Sequence, residues 1–158
     1  MRLLVSDTSP INYLAQVQAI SILPTLFNTI QIPEAVHAEL LHPKAPILVQ
    51  TFAQAPPEWL HIVPNPQDIQ PKAGLHPGEL AAIALASQSN ASVLLIDDKR
   101  GARAAAELGI QTLGTLGILE EAATSGLIDL PTMLGRLMKT NFRCDPLLLR
   151  ALIDNSPT

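Results

Sequence analysis

The segment Val93–Gly109, VLLIDDKRGARAAAELG, indicates the fold most directly. Its four apolar residues at 93–96 predict a strand buried on both faces, and the residues from Lys99 onward predict a helix. Buried strands of this kind belong to parallel sheets, which bind ligands beyond the carboxyl ends of their strands. The two carboxylates that follow this strand, Asp97 and Asp98, are therefore expected where such a fold places its functional site.

Two adjacent acids at such an edge need a positive charge nearby, because like charges raise each other's pKa. The sequence leaves two sources of that charge open, namely a metal ion or the flanking Lys99, Arg100 and Arg103. These three side chains would equally suit the solvated face of a surface helix. We favour a phosphate-binding role for Arg100 and Arg103, because a planar guanidinium matches a phosphate group.

The composition indicates one globular domain, at residues 1–158, with C-terminal helices from about 128 to 154. Of the residues, 47% are hydrophobic and 15% are charged, which is enough apolar material for a sizeable core. Because only 3% are aromatic, base-stacking surfaces are not expected, and contact with nucleic acid would depend on phosphates and metal. The net charge of −4 argues against binding by bulk electrostatics, although bound cations would reverse it locally.

The sequence favours a cytoplasmic protein. Its single cysteine, Cys144, allows no internal disulfide, which suits a reducing compartment. No apolar stretch approaches the ~20 residues that span a bilayer, so no membrane contact is expected. The first residues, MRLLVSDTSP, reach Asp7 too early for the apolar core of a signal peptide.

Strands and helices alternate along the chain, which predicts an α/β fold, a three-layer α/β/α sandwich with a central parallel sheet. The predicted strands are 3–6, 29–32, 60–63, 93–96 and 110–112. The predicted helices are 10–18, 20–27, one opening at Pro33, 45–55, one opening at His76-Pro77, one after Asp98, 114–125, 131–139 and 146–153. Thr8 or Ser9 is expected to cap the first helix. The proline-rich segment 64–74 is expected to be an exposed loop.

Acidic residues recur at or just beyond predicted strand ends and in one first helical turn, namely Asp7, Glu79, Asp97 and Asp98. Glu39 lies inside a predicted helix and joins them only if that helix turns its polar face toward the same edge. Hard divalent cations prefer oxygen ligands, and Mg²⁺ commonly takes one or two carboxylates. One or two such ions would clamp a phosphodiester and activate a water, so the residues allow a metal-dependent nuclease.

Each of these acids also has a structural interpretation. Asp7 would cap a helix, and Glu79 would suit the helix dipole in a first turn. A lone Glu39 is most often a solvated side chain. Of Asp97 and Asp98, one could simply pair with Arg100 or Arg103 or cap the helix while the other holds metal. We give Asp98 the role of metal ligand, and Asp97 either that role or the positioning of a ligand. Of the histidines, only His76, which lies near Glu79, is a candidate for a role in the site. An ordinary loop histidine is the simpler interpretation.

Five short motifs occur in order along the chain. They are Asp7-Thr8-Ser9, Pro33-x-x-Val36-x-x-Glu39-Leu40, Gly78-Glu79-x-x-Ala82-Ile83-Ala84-x-Ala86, Leu95-Ile96-Asp97-Asp98-x-Arg100-x-x-Arg103 and Gly114-Thr115-x-Gly117-x-Leu119. Together they resemble the PIN domain family, and more narrowly its DUF3368 branch, a domain of unknown function described as predicted nucleic-acid-binding. The resemblance runs from Leu3 to about Leu127.

The resemblance implies a site that binds Mg²⁺ or Mn²⁺ and cleaves single-stranded RNA as an endoribonuclease. The resemblance implies that four acids of this chain match, by position, the acidic catalytic residues of the family. They are Asp7, Glu39, Glu79 and Asp98. Metal ligands are expected at three of these, Asp7, Glu79 and Asp98, and also at Asp97, an extra acid typical of this branch. The sequence departs from the wider family at Glu79, where most members have Asp.

The resemblance also implies partners. Many relatives are toxin ribonucleases of toxin–antitoxin pairs, and if this protein is such a toxin, a small antitoxin protein should cover the cleft. A homodimer is also expected. Thr8 and Ser9 would position a ligand or a water, beside the substrate-binding Arg100 and Arg103. Two apolar groups are docking surfaces for an antitoxin, core or a homodimer contact, with core favoured for most: Tyr13, Leu14, Leu23 and Leu26, and Leu147, Leu148 and Leu152. The alternative function is a catalytically inactive PIN-like module that binds RNA or protein.

Overall fold

The computed structural model describes residues 3–155. Its strands are β1 (Leu4–Ser6), β2 (Ile30–Pro33), β3 (Leu60–Val63), β4 (Val93–Leu95) and β5 (Gln111–Leu113). Its helices are α1 (Thr8–Gln16), α2 (Ile22–Phe27), α3 (Glu34–Leu40), α4 (Ile47–Gln54), α5 (Pro77–Gln88), α6 (Lys99–Glu107), α7 (Thr115–Thr124), α8 (Leu130–Leu137) and α9 (Pro146–Asp154). The predicted domain at 1–158 extends beyond the described residues at both ends and stays a prediction.

Helices cover both faces of a single parallel sheet. Leu4, Val5 and Ser6 follow one another along β1 and are all fully buried, although successive strand residues point to opposite faces. The residues of β4 are buried in the same way. Helix α5 packs on β1, β2, β4, α3 and α6, and α1 packs on α3, α4 and α7. The predicted three-layer α/β/α sandwich with a central parallel sheet is confirmed.

The sheet has its topological switch point between β1 and β4. The strand order is β3-β2-β1-β4-β5, so the chain moves outward from β1 to β3 and then returns to the other side of β1. Ser6 pairs with Leu95, and the Asp7 N–H donates to the Leu95 carbonyl at 2.8 Å, so both strands end at the same level. Open parallel sheets bind ligands in the crevice at such a point. Asp7 and the acids after β4 therefore flank that crevice.

The element boundaries differ from the predicted ones by two residues at most, and β3 is placed as predicted. The difference matters at α1, which begins at Thr8, so that Thr8 and Ser9 lie inside the helix. The N-cap position is Asp7, whose side chain makes no cap hydrogen bond to the described helix, so the prediction of a Thr8 or Ser9 cap is wrong. The physical reason is competition from carboxylates, because Thr8 donates to Glu39 and Ser9 donates to Asp97.

The segment 64–74 contains neither helix nor strand, as predicted. It connects β3 to α5 and includes Gly74, whose φ of +85° is a conformation that favours glycine.

Helix α5 has 12 residues. Among residues 3–155, no helix combines the length and the apolar character needed to cross a bilayer.

We expect Leu94→Ala to lower the free energy of unfolding by about 2–5 kcal/mol, because it removes a fully buried side chain of β4 and leaves a cavity. Leu147→Ala removes the same atoms from a side chain that is 74% exposed, and should change the free energy by less than about 0.5 kcal/mol. Urea unfolding followed by circular dichroism measures both. Equal losses in the two variants would contradict the placement of Leu94 in the core.

Candidate functional site

Acids from three separate segments line one cleft of about 380 Å³ at the carboxyl edge of the sheet. Asp7 follows β1, Asp97 and Asp98 follow β4, and Glu79 lies in the first turn of α5. The register of β1 and β4 brings the first three together, and α5 packs against both strands. The structure thus groups four of the five acids that the sequence singles out.

The fifth acid, Glu39, reaches the same cluster from α3. Its Oε1 accepts a hydrogen bond from the Thr8 hydroxyl at 3.1 Å and lies 3.7 Å from His76 Nδ1. The glycine at position 78 makes this approach possible, because a Cβ there would overlap the Glu39 carboxylate. Helix α3 therefore turns its polar face toward the cleft edge. This orientation is the one that Glu39 needs to join the other acids.

Glu79 is held by one oxygen, while its other oxygen has no partner. Its side chain is 1% exposed, and its Oε1 accepts from the His76 backbone N–H at 3.3 Å and lies 2.9 Å from His76 Nε2. The buried Oε2 has no hydrogen-bond partner among the described residues. A Cβ at Gly101 would lie 3.2 Å from this oxygen, so glycine gives it room. His76, three residues before Glu79 at the N-cap of α5, therefore belongs to the site.

Asp7 is the most perturbed carboxyl of the cluster. It is 3% exposed, and its Oδ1 is buried with no hydrogen-bond partner among residues 3–155. Burial raises the pKa of Asp7 to about 7, against a hydrogen bond from the Thr8 N–H, which lowers it. The charges of Glu79 and Glu39 add to the rise, and His76 opposes it. The pKa of Glu79 is raised for the same first reason, burial.

The acids after β4 are engaged in fixing the loops around them. Asp97 Oδ1 accepts the Thr115 N–H, and its Oδ2 accepts the hydroxyls of Ser9 and Thr115, all at 2.7 Å. Asp98 Oδ1 caps α6 by accepting two N–H groups of its first turn, at 2.7 and 3.3 Å. Asp97 thus links β4 to α1 and α7, which favours the positioning role among its two alternatives.

Arg100 and Arg103 do not line the acidic cleft. They line a separate depression of about 320 Å³ together with Lys72 and Glu107. Lys72 pairs with Glu107 at 2.7 Å, and Arg100 lies beside Gly74. The structure therefore places the two expected phosphate-binding arginines on a neighbouring surface.

One wall of the cleft was not anticipated from the sequence. It consists of Tyr13 on α1 and of Asn141, Phe142 and Arg143 between α8 and α9, and we call these four residues the aromatic wall. The rings of Tyr13 and Phe142 meet edge to face with centroids 5.0 Å apart, and the Tyr13 hydroxyl donates to Asn141 Oδ1 at 2.9 Å. Because Tyr13 and Asn141 are 128 residues apart, no local motif signals this contact.

The donor set suits a hydrated cation better than a closed cage. In the part of the chain that the structure describes, no group of three or more His, Cys, Asp and Glu side chains is placed to hold a metal ion. The two buried oxygens without partners, Asp7 Oδ1 and Glu79 Oε2, nevertheless belong to carboxylates that line one cleft. Mg²⁺ is commonly held by one or two carboxylates and several waters. The residues present therefore fit a divalent ion that keeps most of its water.

The family model DUF3368, described as PIN domain, matches residues 3–156, nearly the whole chain. The chain belongs to the PIN domain family. Members of this family are generally nucleases and typically depend on divalent metal. The resemblance seen in the sequence motifs is thereby confirmed.

No curated protein matches this PIN domain in sequence. Among solved structures, it is similar to a PilT N-terminus domain protein from the hyperthermophilic archaeon Sulfolobus solfataricus P2. The two chains are 14% identical, with a TM-score of 0.49, and the match covers 90% of this chain and 99% of the other.

The raised pKa of Asp7 should make the stability of the metal-free PIN domain depend on pH. Because its folded pKa of about 7 exceeds the ordinary 3.8, the folded state binds more protons between these values, and stability falls as pH rises through that window. We expect Asp7→Asn to raise the free energy of unfolding by about 1–3 kcal/mol at pH 8 and very little at pH 4. Urea unfolding in EDTA measures this, with Asp154→Asn at an exposed carboxylate as control. The same gain at both pH values would refute the assignment.

Gly78→Ala should displace the Glu39 carboxylate, because the new Cβ would occupy its position. We expect the variant to lose stability, and to lose none when Glu39→Ala is already present, with a coupling energy of about 0.5–3 kcal/mol. Gly135→Ala is the matched control, since a Cβ there meets nothing within 4 Å and should stabilise α8 by up to about 1 kcal/mol. Additive effects of the two substitutions in thermal unfolding would show that Glu39 does not occupy this space.

Proposed function

We propose that this PIN domain is an endoribonuclease that uses Mg²⁺ or Mn²⁺ to hydrolyse phosphodiester bonds of single-stranded RNA. One observation carries the proposal: Asp7 and Glu79 are buried in the switch-point cleft, each with a carboxylate oxygen that has no hydrogen-bond partner within residues 3–155. Burying a carboxylate costs free energy unless a compensating charge or hydrogen bond is present. A divalent cation would supply that compensation, and the family to which the chain belongs supports the choice.

Asp7 and Glu79 would hold the cation through Oδ1 and Oε2, with Asp98 contributing the oxygen that does not cap α6. When bound, the cation supplies positive charge that clamps the phosphodiester and lowers the pKa of a water. Asp97 keeps the loop after β4 in place through its hydrogen bonds to α1 and α7. Glu39 adds negative charge beside Asp7, whose pKa it raises, and so increases the attraction for a cation.

Thr8 and Ser9 serve to order the acids in this proposal. The Thr8 hydroxyl donates to Glu39, and the Ser9 hydroxyl donates to Asp97. Both hydroxyls are directed at carboxylates, which supports the expected role of positioning a ligand. Contact with substrate phosphates is then left to basic side chains.

The toxin role implied by the resemblance would add a small antitoxin, a homodimer and a cytoplasmic location to the proposal. Leu147 and Leu148 on α9 are 74% and 47% exposed, and exposed leucines of this kind suit contact with another protein. Leu14 and Leu23 are fully buried, so the core explains these two members of the expected docking groups.

A second candidate function is a PIN-like module that binds RNA or protein without cutting. It is favoured by the observation that no ready-made group of three metal-holding side chains exists within residues 3–155. Glu79, where most of the family has Asp, points in the same direction, because one added methylene changes the reach of a ligand.

Purified protein should cleave a labelled single-stranded RNA in Mn²⁺ or Mg²⁺ and stop when EDTA is added. We expect Asp7→Asn and Glu79→Gln to lower kcat by about 10²-fold or more, because each removes a charge that would hold the cation while keeping the shape of the side chain. A gel assay of cleavage products over time measures the loss.

Asp154→Asn, purified in the same way, is the control and should cleave like the wild type. Equal cleavage by Asp7→Asn and wild type would trace the activity to a contaminant and reject the ribonuclease. RNA binding without metal-dependent turnover in the wild type would establish the binding module.

A further inference from the structure

The aromatic wall brings rings to a cleft in a protein that has very few of them. The chain contains one tyrosine, one tryptophan and three phenylalanines, and Tyr13 and Phe142 both line the acidic cleft. Both side chains are half-buried, so part of each ring is open to the cleft. A low aromatic content therefore does not exclude contact with nucleobases, because one well-placed pair of rings is enough.

Contacts from several elements fix the aromatic wall. The edge-to-face packing and the hydrogen bond from the Tyr13 hydroxyl to Asn141 Oδ1 tie α1 to the segment after α8. The Phe142 N–H donates to Thr140 Oγ1 at 3.1 Å, and the Thr140 hydroxyl donates to the Leu137 carbonyl at 2.5 Å. The rings are thus held in place before any ligand arrives, which reduces the entropy lost on binding.

Arg143 places a positive charge on the same wall. It is the one arginine or lysine lining the cleft in the described part of the chain. It forms no ion pair with any carboxylate of residues 3–155, although four of the residues lining the cleft are acids. An exposed guanidinium without an anionic partner is available for a phosphate, which it can bind through two parallel hydrogen bonds.

We propose, on the basis of the ribonuclease function above, that the aromatic wall is a nucleotide subsite for single-stranded RNA. A base next to the cleaved bond stacks on the open face of the Phe142 ring, which Tyr13, at 85° to it, holds in orientation, and Arg143 pairs with the adjacent phosphate. The subsite excludes duplex RNA, because a paired and stacked base cannot offer its face to a side chain. It also places the substrate beside Asp7 and Glu79, because all of these residues line one cleft.

Steady-state cleavage of an oligoribonucleotide in Mn²⁺ tests the rings. Phe142→Leu keeps an apolar side chain but removes the stacking surface, and we expect KM to rise about tenfold with little change in kcat. Phe52→Leu is the matched control, because Phe52 also packs against one aromatic ring, that of Trp59 at 6.0 Å, but does not line the cleft. Circular dichroism melts confirm that both variants fold.

A salt titration of the same reaction tests Arg143. Arg143→Ala should raise KM and should reduce the slope of log KM against log salt by about 0.7, the value for one phosphate contact on a single strand. Arg136→Ala, on α8 and outside the cleft lining, should change neither quantity.

An abasic scan locates the base contact. One abasic nucleotide is moved stepwise past the cleavage position, and the wild type should lose about tenfold in kcat/KM at one position near the cut. Phe142→Leu should show no such position, because the ring that recognises the base is gone. An equal position-specific loss in both proteins would overturn the subsite.

A ribonuclease without this subsite and a protein without ribonuclease activity give different results. If the wild type cleaves RNA and both wall variants behave like their controls, the subsite is wrong and the ribonuclease stands. If the wild type cleaves nothing, fluorescence anisotropy of the same oligonucleotide in Mn²⁺ decides. Weaker binding by Phe142→Leu and Arg143→Ala than by their controls would then keep the subsite in a binding module, and equal or absent binding would reject it.

Discussion

The site depends on the burial of two neighbouring carboxylates, Asp7 and Glu79, each with an oxygen that no hydrogen bond from the described part of the chain satisfies. Burial raises the pKa of both carboxyls, so at neutral pH the ionisation of these buried groups lowers the stability of the metal-free fold. Local structure does not require this cost, because Asp7, at the N-cap position of α1, makes no side-chain cap hydrogen bond to the described helix. A residue that costs stability and has no structural task is best explained by function.

The other acids of the cleft show how such an arrangement is maintained. Asp97 and Glu39 accept hydrogen bonds from hydroxyls, and Asp98 accepts from a helix end, so they order the backbone around the unsatisfied pair. Glycines provide the space for the carboxylates, because a Cβ would crowd an acid at three positions: Gly78 beside Glu39, Gly101 beside Glu79 and Gly114 beside Asp97. The acids thus explain two glycines of the sequence motifs, Gly78 and Gly114, whereas Gly117 gives room to Leu113.

The sequence predicted the parts of the site that depend on local pattern. Apolar runs predicted the strands. Because the carboxyl ends of parallel strands meet at one edge of a sheet, Asp7 and Asp98 were predicted to lie close together. Glu39 was predicted as a site residue only from the family resemblance, because the sequence does not show which way a lone acid on a helix points. The contact of Tyr13 with Phe142 comes from tertiary packing between distant segments, and the direction of Arg100 depends on how α6 packs beside Gly74. Neither leaves a periodic signal in the sequence.

The negative charges of the cleft also determine the order in which a cation and a phosphate can bind there. At an effective dielectric constant of about 20, two like unit charges about 4 Å apart repel by about 4 kcal/mol, and a phosphate entering here approaches several carboxylates. Arg143 offsets only part of that repulsion, because it is one charge at the rim. A divalent cation on Asp7 and Glu79 would change the sign of the interaction where the phosphate must lie. If RNA binds in this cleft, it would therefore need the cation first, whether or not cleavage follows. A nuclease and a module that binds RNA here would then differ in turnover and share the metal dependence of RNA binding.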